Sequence, residues 1–385
     1  MTKYDSKLIK ESIKLHLLQP LGSIFDDDFM SKVYELDDED PLKLIFIHGI
    51  ELYYDKSNNS SKSVRLHEKA LQLSVCIEYL LKIDYFDYRN WLETKKSEYL
   101  KSKSNTANKN AILGEIYTVG YIARMFVDSI IPVKTKAKKN IQTPDFKCLI
   151  NNEEVIFEVN TQNMNDDEKD GIKKHKEESR KKYINSDKKG VFIDFYSVCP
   201  AGTNKKYRTT AENWISKISN IKAKSEQFKL NKMNILVINL FNEEMDLVDL
   251  IHFKPLFVSH QGCAFYSGNM FQAFYGKEGD KILEEYRGGY CPKMTFDGMF
   301  NREHSNNISA AILMMPYKTI IYENPNACVP LTYNVLFDLT KMHSFDLAHS
   351  FVRIPKTFYD KHKLSAEITR CRQKINSITI NDCLG

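Results

Sequence analysis

Apolar residues recur every three or four positions at Leu66, Ala70, Leu73, Ile77 and Leu80, the stripe of an amphipathic helix within SVRLHEKALQLSVCIEYLLKI. Upstream, LKLIFIHGIEL at 42–52 is a short apolar run that fits a buried helix or a strand equally well. A second stripe, Ile112, Ile116, Val119, Ala123 and Phe126, predicts a helix over 111–127 with Asn108 or Asn110 as its cap. Between the two helices, KKSEYLKSKSNTANKN at 95–110 has almost no apolar residues and reads as a linker. A strand is expected near 130–134, followed by FKCLI-NN-EEVIF, two short strands joined at Asn151-Asn152. GVFIDFYSV at 190–198 and MNILVINLF at 233–241 read as buried strands, and 210–229 as a helix with Trp214, Ile218, Ile221 and Phe228 inward. GCAFYSG and RGGY read as glycine-rich turns, ISAAILMM and KTIIYENP as strands, and 355–385 as a basic helix and tail. This order gives an α/β (α+β) fold, a mixed sheet flanked by helices. It divides into a helical N-terminal region over 1–104, a core over 105–245 and a C-terminal extension over 246–385 that could continue the core sheet.

The hairpin carries the first candidate chemistry. A two-residue turn fixes the register, so Ile150 faces Glu153, Leu149 faces Glu154, and Asp145 lands opposite Glu158. Opposed residues share a face with Cβ atoms about 5 Å apart. Phe146, Cys148, Ile150, Val155, Phe157 and Val159 form an apolar face to be buried; Asp145, Lys147, Leu149, Glu154, Ile156, Glu158 and Asn160 form the other. Two carboxylates would then be close enough to share a divalent cation, although a polar face that simply meets water gives the same pattern. Glu115 borders the buried stripe of the 111–127 helix, where a carboxylate requires a metal ion or a Lys/Arg partner.

Glu115 on a helix, a strand, Pro144-Asp145 opening the next strand, and Glu158-Val159-Asn160 on the strand after it resemble the PD-(D/E)xK nuclease superfamily in order and spacing. The resemblance covers residues 105–245 and departs from the family at one point: Asn160 stands in the lysine position. It implies a restriction-endonuclease-like core and a metal-dependent nuclease that hydrolyses phosphodiester bonds, of DNA more than RNA, in a setting such as bacterial host defence by restriction or abortive infection. By the same resemblance Asp145 and Glu158 would bind Mg²⁺, with Mn²⁺ as a substitute and the Val159 carbonyl as a further ligand. Glu115 would bind a second ion or orient a metal-bound water, and Asn160 would complete the catalytic set. Asn160 can hydrogen-bond a water or a phosphate but cannot offset charge. Three outcomes stay open: Asn160 suffices with a second ion; a lysine such as Lys147, Lys222 or Lys224 reaches in; or the site is inactive and the fold binds nucleic acid or a protein partner.

Composition narrows the picture a little. The 385 residues hold 42% hydrophobic and 27% charged residues, an ordinary globular composition. Fifty-five Lys and Arg against 50 Asp and Glu leave +5, so affinity for a polyanion has to come from local patches. Lys134, Lys136, Lys138 and Lys139, just before the Pro-Asp strand, are the candidate phosphate contacts. The eight cysteines form no C-x-x-C pair, and His260 with Cys263 lacks a second ligand pair, so a zinc ribbon is not expected. With no signal core and no run of membrane-spanning length, the chain is expected to be cytoplasmic with reduced thiols. The expected partners are nucleic acid, a second copy in a homodimer, or a defence-system protein.

Overall fold

The computed structural model describes residues 19–37, 39–54, 61–83, 86–126, 129–132, 144–162, 228–240, 256–260, 263–267, 269–280, 293–315, 318–339 and 350–354, with single positions between 174 and 221. Helices α1 (Gln19–Ile24), α2 (Asp27–Tyr34), α3 (Pro41–Tyr54), α4 (Ser61–Lys82), α5 (Phe86–Lys101) and α6 (Thr106–Phe126) come first. The ambiguous run at 42–52 is helix α3. Asp40 decides this, because its Oδ1 accepts the N–H groups of Leu42 (3.1 Å) and Lys43 (3.0 Å), with Pro41 in the first turn.

Two expectations in this region are corrected. Residues 95–101 are not linker; they are the last two turns of α5. The buried stripe of α5 is Tyr88, Leu92, Lys96 and Tyr99, so a lysine occupies a position where the sequence pattern calls for an apolar residue. Lys96 is tolerated there because its ammonium reaches Asp26 (3.1 Å) and Glu93 (3.2 Å) and stands over the Phe29 ring, 5.5 Å from its centroid. Helix α6 begins at Thr106, and its cap is Asn105, whose Oδ1 accepts the Asn108 N–H at 3.0 Å; neither Asn108 nor Asn110 is the cap.

Helix α6 is also more than amphipathic. Every residue from Ile112 to Ala123 except Glu115 is buried. Two glycines permit this. A Cβ at Gly120 would lie 2.6 Å from Cys76 Cβ on α4, and one at Gly114 would lie 2.9 Å from Thr161 Cγ2 on the sheet. The helix is therefore clamped between the helical layer and the strands.

The sheet has seven strands in the order β1 (Ile130–Pro132), β2 (Phe146–Ile150), β3 (Glu153–Thr161), β4 (Met233–Asn239), β7 (Ala310–Met315), β8 (Lys318–Glu323) and β9 (Ser350–Ile354). The pairs β1–β2, β2–β3 and β7–β8 are antiparallel; β3–β4, β4–β7 and β8–β9 are parallel. The hairpin register is as predicted, with Ile150 opposite Glu153 and Phe146 opposite Phe157. Asn151 (φ 51°) and Asn152 (φ 64°) supply the two left-handed residues that a tight hairpin turn demands. Phe146, Cys148, Ile150, Val155 and Phe157 are buried against α1–α6 in one core, which continues through Ile235, Val237 and Ile312. On the other face Leu236, Ile238, Ala311, Leu313 and Tyr322 pack with Ile218, Phe228 and helix α7 (Asn269–Tyr275). The central strand β4 is buried along its whole length, and its Asn234 is satisfied by donating to the carbonyls of Lys229, Lys232 and Asn307.

ISAAILMM and KTIIYENP do extend the sheet, as β7 and β8. Within GCAFYSG, however, Cys263–Ser267 is a strand, β6, paired antiparallel with β5 (Leu256–His260); the strand-favouring aromatics Phe265 and Tyr266 lie between the glycines. The predicted strand at 190–198, RGGY, the tail at 355–385 and most of the predicted 210–229 helix lie outside the described residues. No described helix is long and apolar enough to cross a membrane.

The turn gives a direct test. Asn152→Val should cost about 1–2 kcal/mol in urea unfolding, because a β-branched residue resists positive φ. Asn152→Gly should stay within about 0.5 kcal/mol of the wild type. Equal stability of the two variants would contradict a left-handed turn.

Candidate active site

Asp145 lies one residue ahead of the β2–β3 ladder, and the register sets it opposite Glu158. Its side chain turns onto the neighbouring strand, where Oδ2 accepts the Val159 N–H at 2.7 Å. Thr161 faces α6 at Gly114, so strand alternation directs Glu158 and Asn160 to the opposite side of β3. Asp145, at the open end of the hairpin, is the residue common to both sides.

Glu115 enters from α6. Helix placement is fixed by Asn239 at the end of β4, a fully buried residue whose Nδ2 donates to the Gly114 carbonyl (2.9 Å) and to Thr118 Oγ1 (2.7 Å). The Glu115 carboxylate pairs with Lys95 on α5, Oε2 to Nζ at 2.8 Å, and Lys95 also reaches Glu98 at 3.1 Å. Lys95 and Glu115 are only 14% and 16% exposed, so this is a shielded pair rather than a surface contact.

The electrostatics follow from that shielding. Burial first, and then the negative charge of Asp145, push Glu115 up to about 7 against the pull of Lys95. Burial likewise raises Asp145, opposed by the Val159 N–H and by Lys95. Lys95 is held above its ordinary value because Glu115 and Glu98 outweigh the cost of burying it. Glu115, Asp145 and Lys95 are therefore one coupled group.

The structure brings Glu115 to Asp145 and sets Glu158 across the hairpin. Among the described residues, no three His, Cys, Asp or Glu side chains are grouped so as to hold a metal ion. The donor set still fits a hard cation. Asp145, shielded from water and set opposite Glu158, is a carboxylate whose proton affinity is raised by burial, a cost that positive charge beside it would relieve, and Mg²⁺ needs only one or two carboxylates when water completes its shell.

Lys147, a candidate substitute for the motif lysine, does not serve the site: its Nζ pairs with Glu154 at 3.2 Å, and Lys232 adds a contact to the same acid at 3.5 Å. Lys222, Lys224, Lys134, Lys136, Lys138 and Lys139 lie outside the described residues. The lysine that does reach the acids is Lys95, in the segment expected to be linker. Tyr88, Leu92 and Tyr99 carried the signal, since their spacing continues a helical stripe through 95–96. Asn160 is bonded to Gln162, whose Nε2 donates to Asn160 Oδ1. Comparison with protein-family models, curated proteins and solved structures gave no match.

Two outcomes are expected from this geometry. Gly114→Ala should lower stability by about 1–3 kcal/mol, because the added methyl meets a branched side chain on a strand that cannot retreat. Thr161→Ala in the same chain should recover most of that loss, and additive losses in denaturant unfolding would count against the contact. The second outcome concerns pH. A folded value near 7 for Glu115, above its ordinary 4.5, means that its stability contribution is fully present below 4.5 and is lost as pH rises toward 7. Glu115→Gln should flatten this part of the stability–pH profile; an unchanged slope would show that Glu115 is not the group responsible.

Proposed function

We propose that the chain is a metal-dependent nuclease of the PD-(D/E)xK type, cleaving phosphodiester bonds of nucleic acid. The observation that supports this best is the shielded Glu115–Asp145–Lys95 group at the open end of the hairpin, with Glu158 opposite Asp145. The acids come from the helix and the two strands that the resemblance requires. The surrounding mixed sheet with helices on its faces is compatible with a restriction-endonuclease-like core.

On this reading Asp145 and Glu158 hold the divalent cation, Mg²⁺ or Mn²⁺, with Glu115 on the far side of Asp145. A cation bound there supplies Lewis acidity and an acidified water. Lys95 supplies the positive charge that Asn160 cannot, and does so from a helix rather than from the strand of the motif. Its ammonium is fixed by Glu115 and Glu98, so it offsets charge that builds on the phosphoryl oxygens without having to reorganise. Glu115, with its proton affinity near neutrality, is suited to take the proton of the attacking water. Burial of the group keeps the local dielectric low, which strengthens each of these interactions.

Incubating supercoiled plasmid, linear DNA and structured RNA with the protein in Mg²⁺, Mn²⁺ or EDTA tests the proposal. Cleavage should require metal and should be abolished by Asp145→Ala or Glu158→Ala with the fold intact. Lys95→Gln should slow it by about a hundredfold or more, the scale of losing one preorganised electrostatic group. The rate should rise with pH through about 7 as Glu115 loses its proton, and Glu115→Gln should remove that limb. If no substrate is cut with either metal, the fold acts as a binding module instead.

A further inference from the structure

Glu158, Asn160 and Gln162 lie at alternate positions along the end of β3 and therefore share a side. Gln162 is held there by its backbone, whose N–H donates to the Asn239 carbonyl at 2.9 Å. Asn239 in turn donates its side-chain amide to the turn of α6 that carries Glu115. The Gln162 side chain donates through Nε2 to Asn160 Oδ1. Both residues are half-buried.

An isolated asparagine amide is ambivalent, with an acceptor at one end and two donors at the other. Gln162 biases the amide by donating to its oxygen, which favours the rotamer that presents the NH₂ end elsewhere. Among the described residues Gln162 is the partner of this amide, and it leaves the NH₂ end for a ligand. Donors alone match the unprotonated oxygens of a phosphodiester, which only accept. We propose that Gln162 is a positioning residue that orients Asn160 so that its NH₂ end donates to a phosphodiester oxygen, a neutral counterpart to the missing lysine. This rests on the nuclease reading for its substrate class and adds to it the group that grips the substrate on the Glu158 side, while Lys95 acts from the α6 side. The division is physically reasonable. The amide pair binds the anion by hydrogen bonds alone, while Lys95 carries the charge.

The test is binding in EDTA, where no cleavage interferes. Fluorescence anisotropy with labelled duplex DNA, single-stranded DNA and RNA of equal length compares wild type with Asn160→Ala, Gln162→Ala and the double variant. Each single change should weaken the best probe by about tenfold, as expected for losing a hydrogen bond to a charged group. The double variant should be no weaker than Asn160→Ala, because Gln162 acts through Asn160. Gln162→Glu separates positioning from packing. An ionised carboxyl cannot donate to Asn160 Oδ1, so binding relative to wild type should be lost at neutral pH and return as the introduced carboxyl is protonated, with circular dichroism unchanged. Unaltered binding in Gln162→Ala, additive losses in the double variant, or no binding of any probe by wild type overturns the proposal. Coupled loss of binding with no cleavage under Mg²⁺ or Mn²⁺ keeps the amide pair and removes the nuclease reading. Cleavage that needs Asp145 while binding is indifferent to Gln162 does the reverse.

Discussion

The clamping of α6 between the helical layer and the sheet is the constraint on which the rest of the molecule depends. Gly120 admits α4 on one side and Gly114 admits Thr161 of β3 on the other, so the helix has no lateral freedom. Buried Asn239 then fixes its axial position by tying the Gly114 carbonyl and Thr118 to the end of β4. The next residue after Gly114 is Glu115. Its closeness to Asp145 is therefore a consequence of close packing, which transmits position rigidly because interiors are as dense as organic crystals.

Charge, as well as apolar contact, holds the helices around α6. Lys109 and Asp40 form a fully shielded pair at 2.6 Å; Tyr99 adds its hydroxyl to Asp40 at 2.8 Å and lies beneath the Lys109 ammonium. Asp40 spends its remaining capacity on the first turn of α3. Both carboxylate oxygens of Asp40 are engaged, which makes so costly a burial tolerable and fixes the relative placement of α3, α5 and α6. Lys95–Glu115 joins two of these helices, α5 and α6, but is incomplete in a different sense: the nearby Asp145 leaves the group with more acid than base. One pair is closed and serves the fold; the other has electrostatic capacity to spare, as a site for a cation or an anionic substrate requires.

Much of the strand structure was legible because its signals are local. Asn151-Asn152 between two apolar-alternating segments set the register through turn geometry alone, and that register put Asp145 opposite Glu158. The stripes at 66–80 and 112–126 gave two helices for similar reasons. Helix α5 is hidden because Lys96 sits in its buried stripe, and one of the two acids that receive its ammonium, Asp26, is 70 residues away in sequence. Missing α5 also meant missing Lys95. The strand Cys263–Ser267 was hidden by flanking glycines that say nothing about pairing partners.

By itself the sequence determined the elements whose hydrogen bonds and apolar periods close over a few residues, and it determined which acids the hairpin opposes. Only the tertiary structure decided which cation stands beside those acids, that Lys147 is taken by Glu154, and that Asn160 is bonded to Gln162 with its oxygen occupied. The reason is range. Backbone geometry and side-chain alternation are properties of neighbouring residues, whereas the partner of a buried charge is whatever the packing of distant segments delivers to within about 3 Å of it.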